Sequence, residues 1–86
     1  MERSTIIEVK DVFEECLQLI QDRDPKYGSM WRTEDLGELF GNVSRKFKGL
    51  EHQFKTRDLG PVDMEFPLDL INYTAFFLLR LRNADK

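Results

Sequence analysis

Eighty-six residues, 34% of them charged and 41% hydrophobic, with a net charge of -3, describe one acidic domain with room for a single thin core. That balance argues against a partner held by charge alone, such as nucleic acid, and a lone cysteine, Cys16, excludes an intrachain disulfide. The longest apolar run, residues 73–79, falls far short of the roughly 20 residues that cross a bilayer, and the N-terminus lacks the apolar core of a secretory signal, so a cytoplasmic protein without a membrane partner is expected.

The first helix is expected from Thr5 to Asp22. Ile6, Val9, Phe13, Cys16, Leu17 and Ile20 fall within an arc of about 120° at 3.6 residues per turn, which marks one core-facing side. Glu15, Gln18 and Asp22 lie opposite, with Glu14 at the edge of the stripe. Pro25 and Gly28 then interrupt the helical period, so residues 23–32 read as a loop, although Tyr27, Met30 and Trp31 give it an apolar load that has to pack on something.

Thr33, followed by Glu34 and Asp35, has the chemistry of a helix start: a hydroxyl to accept an orphan N–H and acids at the positive end of the dipole. The second helix carries Leu36, Phe40, Val43, Phe47, Leu50 and Phe54 at alternating spacings of four and three, the seam of a helix with a bundle partner. Gly37, Gly41 and Gly49 each weaken that helix, which implies either a close approach from behind or simple tolerance. Residues 55–66, with Gly60 and Pro61, read as a second loop, and Pro67 suits the first position of a third helix reaching about Arg82. Apolar residues cover that helix nearly all round, from Leu68 to Leu81, which places it at the centre of a core.

The expected architecture is therefore all-α: a three-helix protomer that completes a helical bundle by homodimerisation or as a higher homo-oligomer. A chain this short buries only roughly 60% of its unfolded surface, and a partner copy supplies the missing contacts.

Two clusters have the makings of a site. Asp69 and Asn72 lie one turn apart on the otherwise apolar last helix, with Tyr73, Phe76 and Arg80 on the same side. They are either an acid and an amide satisfied inside the core, or a polar site with Asp69 on a divalent cation and Asn72 on a ligand. Arg45, Lys46, Lys48, Lys55 and Arg57 gather positive charge, which suits either a solvated face or a phosphate cradle. The sole histidine, His52, is on the polar side of its helix, so neither a triad nor a histidine metal set can form around it.

Taken in order, Lys26-Tyr27-Gly28-Ser29-Met30-Trp31-Arg32, then Arg45-Lys46-Phe47-Lys48-Gly49-Leu50, then Asp69-Leu70-Ile71-Asn72-Tyr73 resemble the nucleotide modification associated domain 1 family, itself similar to the MazG-like all-α NTP pyrophosphohydrolases. The resemblance spans roughly residues 13–81 and implies a MazG-like fold, nucleotide as ligand and Mg²⁺ as cofactor. It implies Tyr27 and Trp31 against a base, Arg45, Lys46 and Lys48 near phosphates, and Asn72 as a polar floor. Asp69 takes the place of the aspartate in that family's ExxD metal motif, with Glu14 and Glu38 as further metal ligands. Phe66 stands where that motif has its glutamate, and Gln18 stands where a third acid would complete an EExxE pattern. A non-enzymatic helical dimerisation module, or a weak nucleic-acid adaptor using residues 45–57, is the alternative reading of the same features.

Overall fold

The computed structural model describes residues 3–56 and 63–83, and every element among them is helical. The order is α1 (Thr5–Asp22), α2 (Pro25–Ser29), a single 3₁₀ turn (Met30–Arg32), α3 (Leu36–Lys55) and α4 (Glu65–Arg82). No helix among the described residues is long and apolar enough to cross a membrane.

α1 begins where its sequence indicates, with Ser4 Oγ accepting from the Ile7 N–H at 3.2 Å. The segment read as a plain loop is instead a fourth helix and a 3₁₀ turn. Asp24 caps α2 by accepting from the Lys26 N–H at 2.8 Å, and Pro25, which looked like a breaker, occupies the first turn, where its missing N–H has no partner to lose. α3 starts at Leu36 rather than at Thr33, because Asp35 accepts from the Glu38 N–H at 2.8 Å while the Thr33 N–H closes the 3₁₀ turn on the Met30 carbonyl. α4 starts two residues before Pro67, with Asp63 Oδ1 accepting from the Glu65 N–H at 2.9 Å; Pro67 still lies in the first turn. The loop residues Arg57, Gly60 and Pro61 lie outside the described residues.

α4 is the central element, packed most extensively on α3 and also on α1 and the 3₁₀ turn, as its all-round apolar surface implies. The stripe of α3, however, is not where the core lies, and that of α1 enters it only at its C-terminal half, through Cys16 and Ile20. Of the apolar residues, Cys16, Tyr27, Leu39 and Phe76 are buried, while Ile6, Phe13, Leu17, Leu36, Phe40 and Phe47 are exposed. α3 is rolled so that Leu39, Lys46 and Gly49 face α4. Phe66 lies so close over Gly49 that a Cβ there would overlap its ring, and Lys46 reaches across to α4, which together hold the seam outward. Gly49 is thus demanded by a close approach, whereas Gly41 has nothing near it.

The result is an open molecule. Its surface is 6764 Å², against roughly 5300 Å² for a compact monomer of 10.2 kDa. Its radius of gyration is 14.7 Å, against roughly 12 Å for a compact domain of this length.

Candidate functional site

Asp69, Asn72 and Phe76 are spaced by three and four residues on α4 and form its buried line. Two of the three are polar, so their partners decide whether the fold tolerates them. The short helix α2 supplies the first. Gly28 lets α2 approach α1, since a Cβ there would stand 3.0 Å from Ile20 Cγ2. That approach carries the Tyr27 ring into the core, edge-on to Tyr73 at 5.6 Å and to Phe76 at 5.5 Å between centroids.

The Tyr27 hydroxyl donates to Asp69 Oδ1 at 3.1 Å and accepts from Asn72 Nδ2 at 3.1 Å. Asn72 Nδ2 also donates to the Cys16 carbonyl at 3.0 Å, tying α4 to α1. Asp69 Oδ2 receives the Lys46 ammonium from α3 at 3.1 Å, and Arg23 Nη2, at the end of α1, stands 3.5 Å from Oδ1 and 3.4 Å from Glu65 Oε2. The Arg23 guanidinium also covers the Tyr27 ring at 5.1 Å, and the Lys46 ammonium sits 5.2 Å from the Phe66 centroid. One carboxylate, 3% exposed, thus joins α1, α2, α3 and α4. No buried side-chain polar atom among the described residues lacks a partner.

Burial, reinforced by the charge of Asp69 although eased by the Asn72 hydrogen bond, pushes the Tyr27 phenol well above its ordinary range. Burial, with Glu15 and Asp69 nearby, raises the Cys16 thiol too, and it donates weakly to the Leu68 carbonyl at 3.9 Å. Both groups stay protonated at neutral pH, so neither supplies a nucleophile or a base. The arrangement can hold an anion beside two cations and position it; it holds no activated nucleophile.

The residues singled out from sequence divide sharply. Asp69, Asn72, Lys46 and Tyr27 come together, from three motifs up to 45 positions apart in the chain. Tyr27 does so from inside the core, at 8% exposure, so its ring braces the cluster and is closed to a stacking base. Arg45 and Lys48 do not join. Successive residues on a helix turn by roughly 100°, which points both away from Lys46; they are exposed, and Arg45 Nη2 donates to Asn42 Oδ1 at 2.8 Å. Trp31 is half-buried on the 3₁₀ turn, with the Arg32 guanidinium 4.4 Å over its ring.

Glu14 and Glu38 are exposed and stand apart from Asp69, and among the described residues no three of His, Cys, Asp and Glu form a group able to hold a metal ion. A Mg²⁺ ion at Asp69 does not fit this arrangement, because the Lys46 ammonium already occupies the cation position and Tyr27 and Arg23 take the other oxygen. Sequence reasoning missed Arg23, whose only signal was its place directly after α1, where a cation also favours the helix end.

A cleft of about 300 Å³ lies beside this cluster's short helix, lined by Lys26, Ser29, Met30, Thr33 and Glu34, and shares no residue with the cluster. It borders the Lys26–Arg32 motif on the residues that Tyr27 leaves facing outward. Compared with protein-family models, with curated proteins and with solved structures, the chain gives no match.

Proposed function

We propose that this chain is a self-associating, MazG-like all-α domain that binds a nucleotide through its phosphates, with Lys46 and Arg23 as the cations that meet them. One observation carries the reading: the motifs behind the family resemblance, far apart in sequence, converge on one buried charged cluster. Burying a carboxylate in a thin helical core beneath two half-buried cations costs desolvation that apolar residues would avoid, and such clusters concentrate at functional sites. Lys46 and Arg23 keep 24% and 34% of their side-chain surface open, so an anion can approach them without unfolding the cluster. The cleft beside Lys26 is of the size that takes a small ligand and gives the base and sugar a place next to the motif. A cytoplasmic setting, where nucleoside phosphates are abundant, belongs to the same reading.

Thermal melting against a panel of nucleoside mono-, di- and triphosphates, with and without Mg²⁺, tests it. A nucleotide at 100 times its dissociation constant stabilises the folded state by roughly 2.7 kcal/mol, a rise of about 10 °C or more for a domain of this size. Lys46→Met should lose that rise relative to its own unliganded baseline. A flat response of the native chain across the whole panel refutes nucleotide binding.

A second reading, a helical dimerisation module that binds no nucleotide, is favoured by a different observation: the Asp69 cluster is hydrogen-bonded within itself while large apolar residues stand in water. Under that reading the panel gives no shift and self-association persists.

A further inference from the structure

The geometry points to an interface with a second copy of this chain in which α3 packs antiparallel on the partner's α3. It rests on the self-association proposed above and adds which surface, which direction and which residues.

The flank of α3 carries Leu36, Phe40 and Phe47, at 43%, 60% and 53% exposure, with Val43 and Leu50 half-buried along the same line and the Phe40 ring 6.0 Å from that of Phe77 on α4. Those spacings keep the line straight along the helix over some 14 residues, as a helix-packing seam does and a scatter of surface residues does not. Beside it, on the side away from α4, run Gly37, Gly41 and Ser44. Gly41 has nothing within 4 Å of a Cβ, so nothing among the described residues requires a glycine there, whereas a Cβ at Gly37 would press at 3.3 Å on the Asp35 carboxylate that caps α3. Glycine weakens an exposed helix more than any residue but proline, and a second backbone coming close accounts for it.

Charge selects the occupant and its direction. Glu34 and Asp35 stand just before α3 and Glu38 in its first turn; its second half bears Arg45, Lys48 and Lys55, with Glu51 paired to Lys55 at 3.8 Å and Lys46 turned inward to Asp69. A surface whose charge reverses end to end complements a copy of itself turned by a two-fold axis, and an antiparallel pair also lays the two helix dipoles head to tail. The equally apolar face of α1, with Ile6, Phe13 and Leu17, lacks this property: α1 carries Glu8, Asp11, Glu14, Glu15 and Asp22 against Lys10 alone, with Asp11 paired to Arg3 and no basic residue in its last turn, so an antiparallel self-pairing leaves acids in excess at both ends. The surface that this molecule exposes beyond a compact monomer, on the order of 1400 Å², exceeds the roughly 800 Å² each partner contributes to a standard interface.

With the two-fold axis beside Ser44, Phe47 meets the partner's Val43, Phe40 meets the partner's Leu50, and Lys55 comes to the acidic start of the partner's α3. Sedimentation equilibrium of the native chain and of Phe47→Glu, with pulsed dipolar distances from nitroxides on Ser44→Cys and Lys55→Cys, tests this; native Cys16 is buried and stays unlabelled. The expected results are a native dimer, a dissociation constant raised at least 100-fold by Phe47→Glu, a short distance at position 44 and one of about 30 Å at position 55, from a rise of roughly 1.5 Å per residue. A native chain that sediments at 10.2 kDa overturns both this pairing and self-association. A native dimer with a short distance at 55, a long one at 44, or indifference to Phe47→Glu overturns this pairing and leaves self-association standing.

Discussion

Around Asp69, charged and polar side chains lie inside the molecule with every buried side-chain polar atom of the described residues partnered, while along the flank of α3 Phe47 and Phe40, the latter touching the edge of α4 through Phe77, are more than half exposed. The two regions are one helix apart, and Lys46 and Phe47 are consecutive residues serving one each. The contrast separates two kinds of helix contact. α3 is set on α4 by fit and charge, the Phe66 ring on Gly49 and Lys46 on Asp69, and that contact buries Leu39 while leaving Leu36 and Phe47 exposed. Much of the apolar surface of α3 stays exposed in the single chain. Sequence periodicity detects the larger apolar stripe; it does not say whether a helix of the same chain covers it.

The contrast breaks most easily at Asp69. Replacing it by alanine leaves the Lys46 ammonium without its counter-charge, leaves Arg23 with Glu65 alone and removes the acceptor of the Tyr27 hydroxyl. Removing one partner from a buried ionic cluster costs on the order of 3–5 kcal/mol, a large share of the stability of any small domain. Thermal denaturation followed by circular dichroism should show Asp69→Ala largely unfolded or melting far below the native chain. A midpoint within 2 °C of native would mean that the cluster contributes no stability and that the inside–outside contrast has no energetic content.

Next in size is Gly49→Ala. A methyl there overlaps the Phe66 ring, which has to move off α3, and overpacking of this kind costs roughly 1–3 kcal/mol. Because the clash falls between α3 and α4 inside one chain, the loss should be independent of protein concentration. A loss that shrinks on concentrating the sample would place the contact at a subunit boundary instead.

Much of this was legible in the residues. The bounds of α1, the all-round apolar character of α4 and the pairing of Asp69 with Asn72 follow from periodicity and from the cost of burying polar groups. α2 was hidden because Pro25 and Gly28 are breakers in the middle of a helix but neutral or useful in a first turn and at a close approach. The buried side of α3 was misjudged because Leu39, Lys46 and Gly49 look like a lone leucine, a surface cation and a flaw; what unites them is the partner opposite each, and that is tertiary information. Glu14 and Glu38, by contrast, were placed by resemblance alone, and nothing in their own spacing brought them to Asp69.

A smaller effect sharpens the polar side of the comparison. Tyr27→Phe keeps the ring between Tyr73 and Phe76 but removes a hydroxyl that both donates and accepts, worth about 1–2 kcal/mol. Its pH dependence has a definite sign. The phenol is raised above its unfolded value near 10, so its protonated form is favoured by folding: the contribution is complete below about pH 10 and is lost as pH rises toward the native value. The native chain should therefore lose stability between pH 10 and 11 more steeply than Tyr27→Phe, measured by melting each at both. Parallel losses would show that the hydroxyl does not feel its buried surroundings.

The smallest effect tests the apolar side, and its sign depends on how many copies are present. In an isolated chain Gly41 is an exposed residue inside a helix with open space where a Cβ would go, so alanine there should stabilise α3 by up to about 1 kcal/mol. If α3 packs against a second copy at that flank, the same methyl intrudes between the two backbones and weakens association. Gly41→Ala should then melt a few degrees higher than native at low micromolar concentration and lose that advantage at several hundred micromolar, where native melting rises with concentration and the variant's rises less. A gain of equal size at both concentrations would show that nothing approaches Gly41, and the exposed phenylalanines beside it would then be ordinary surface.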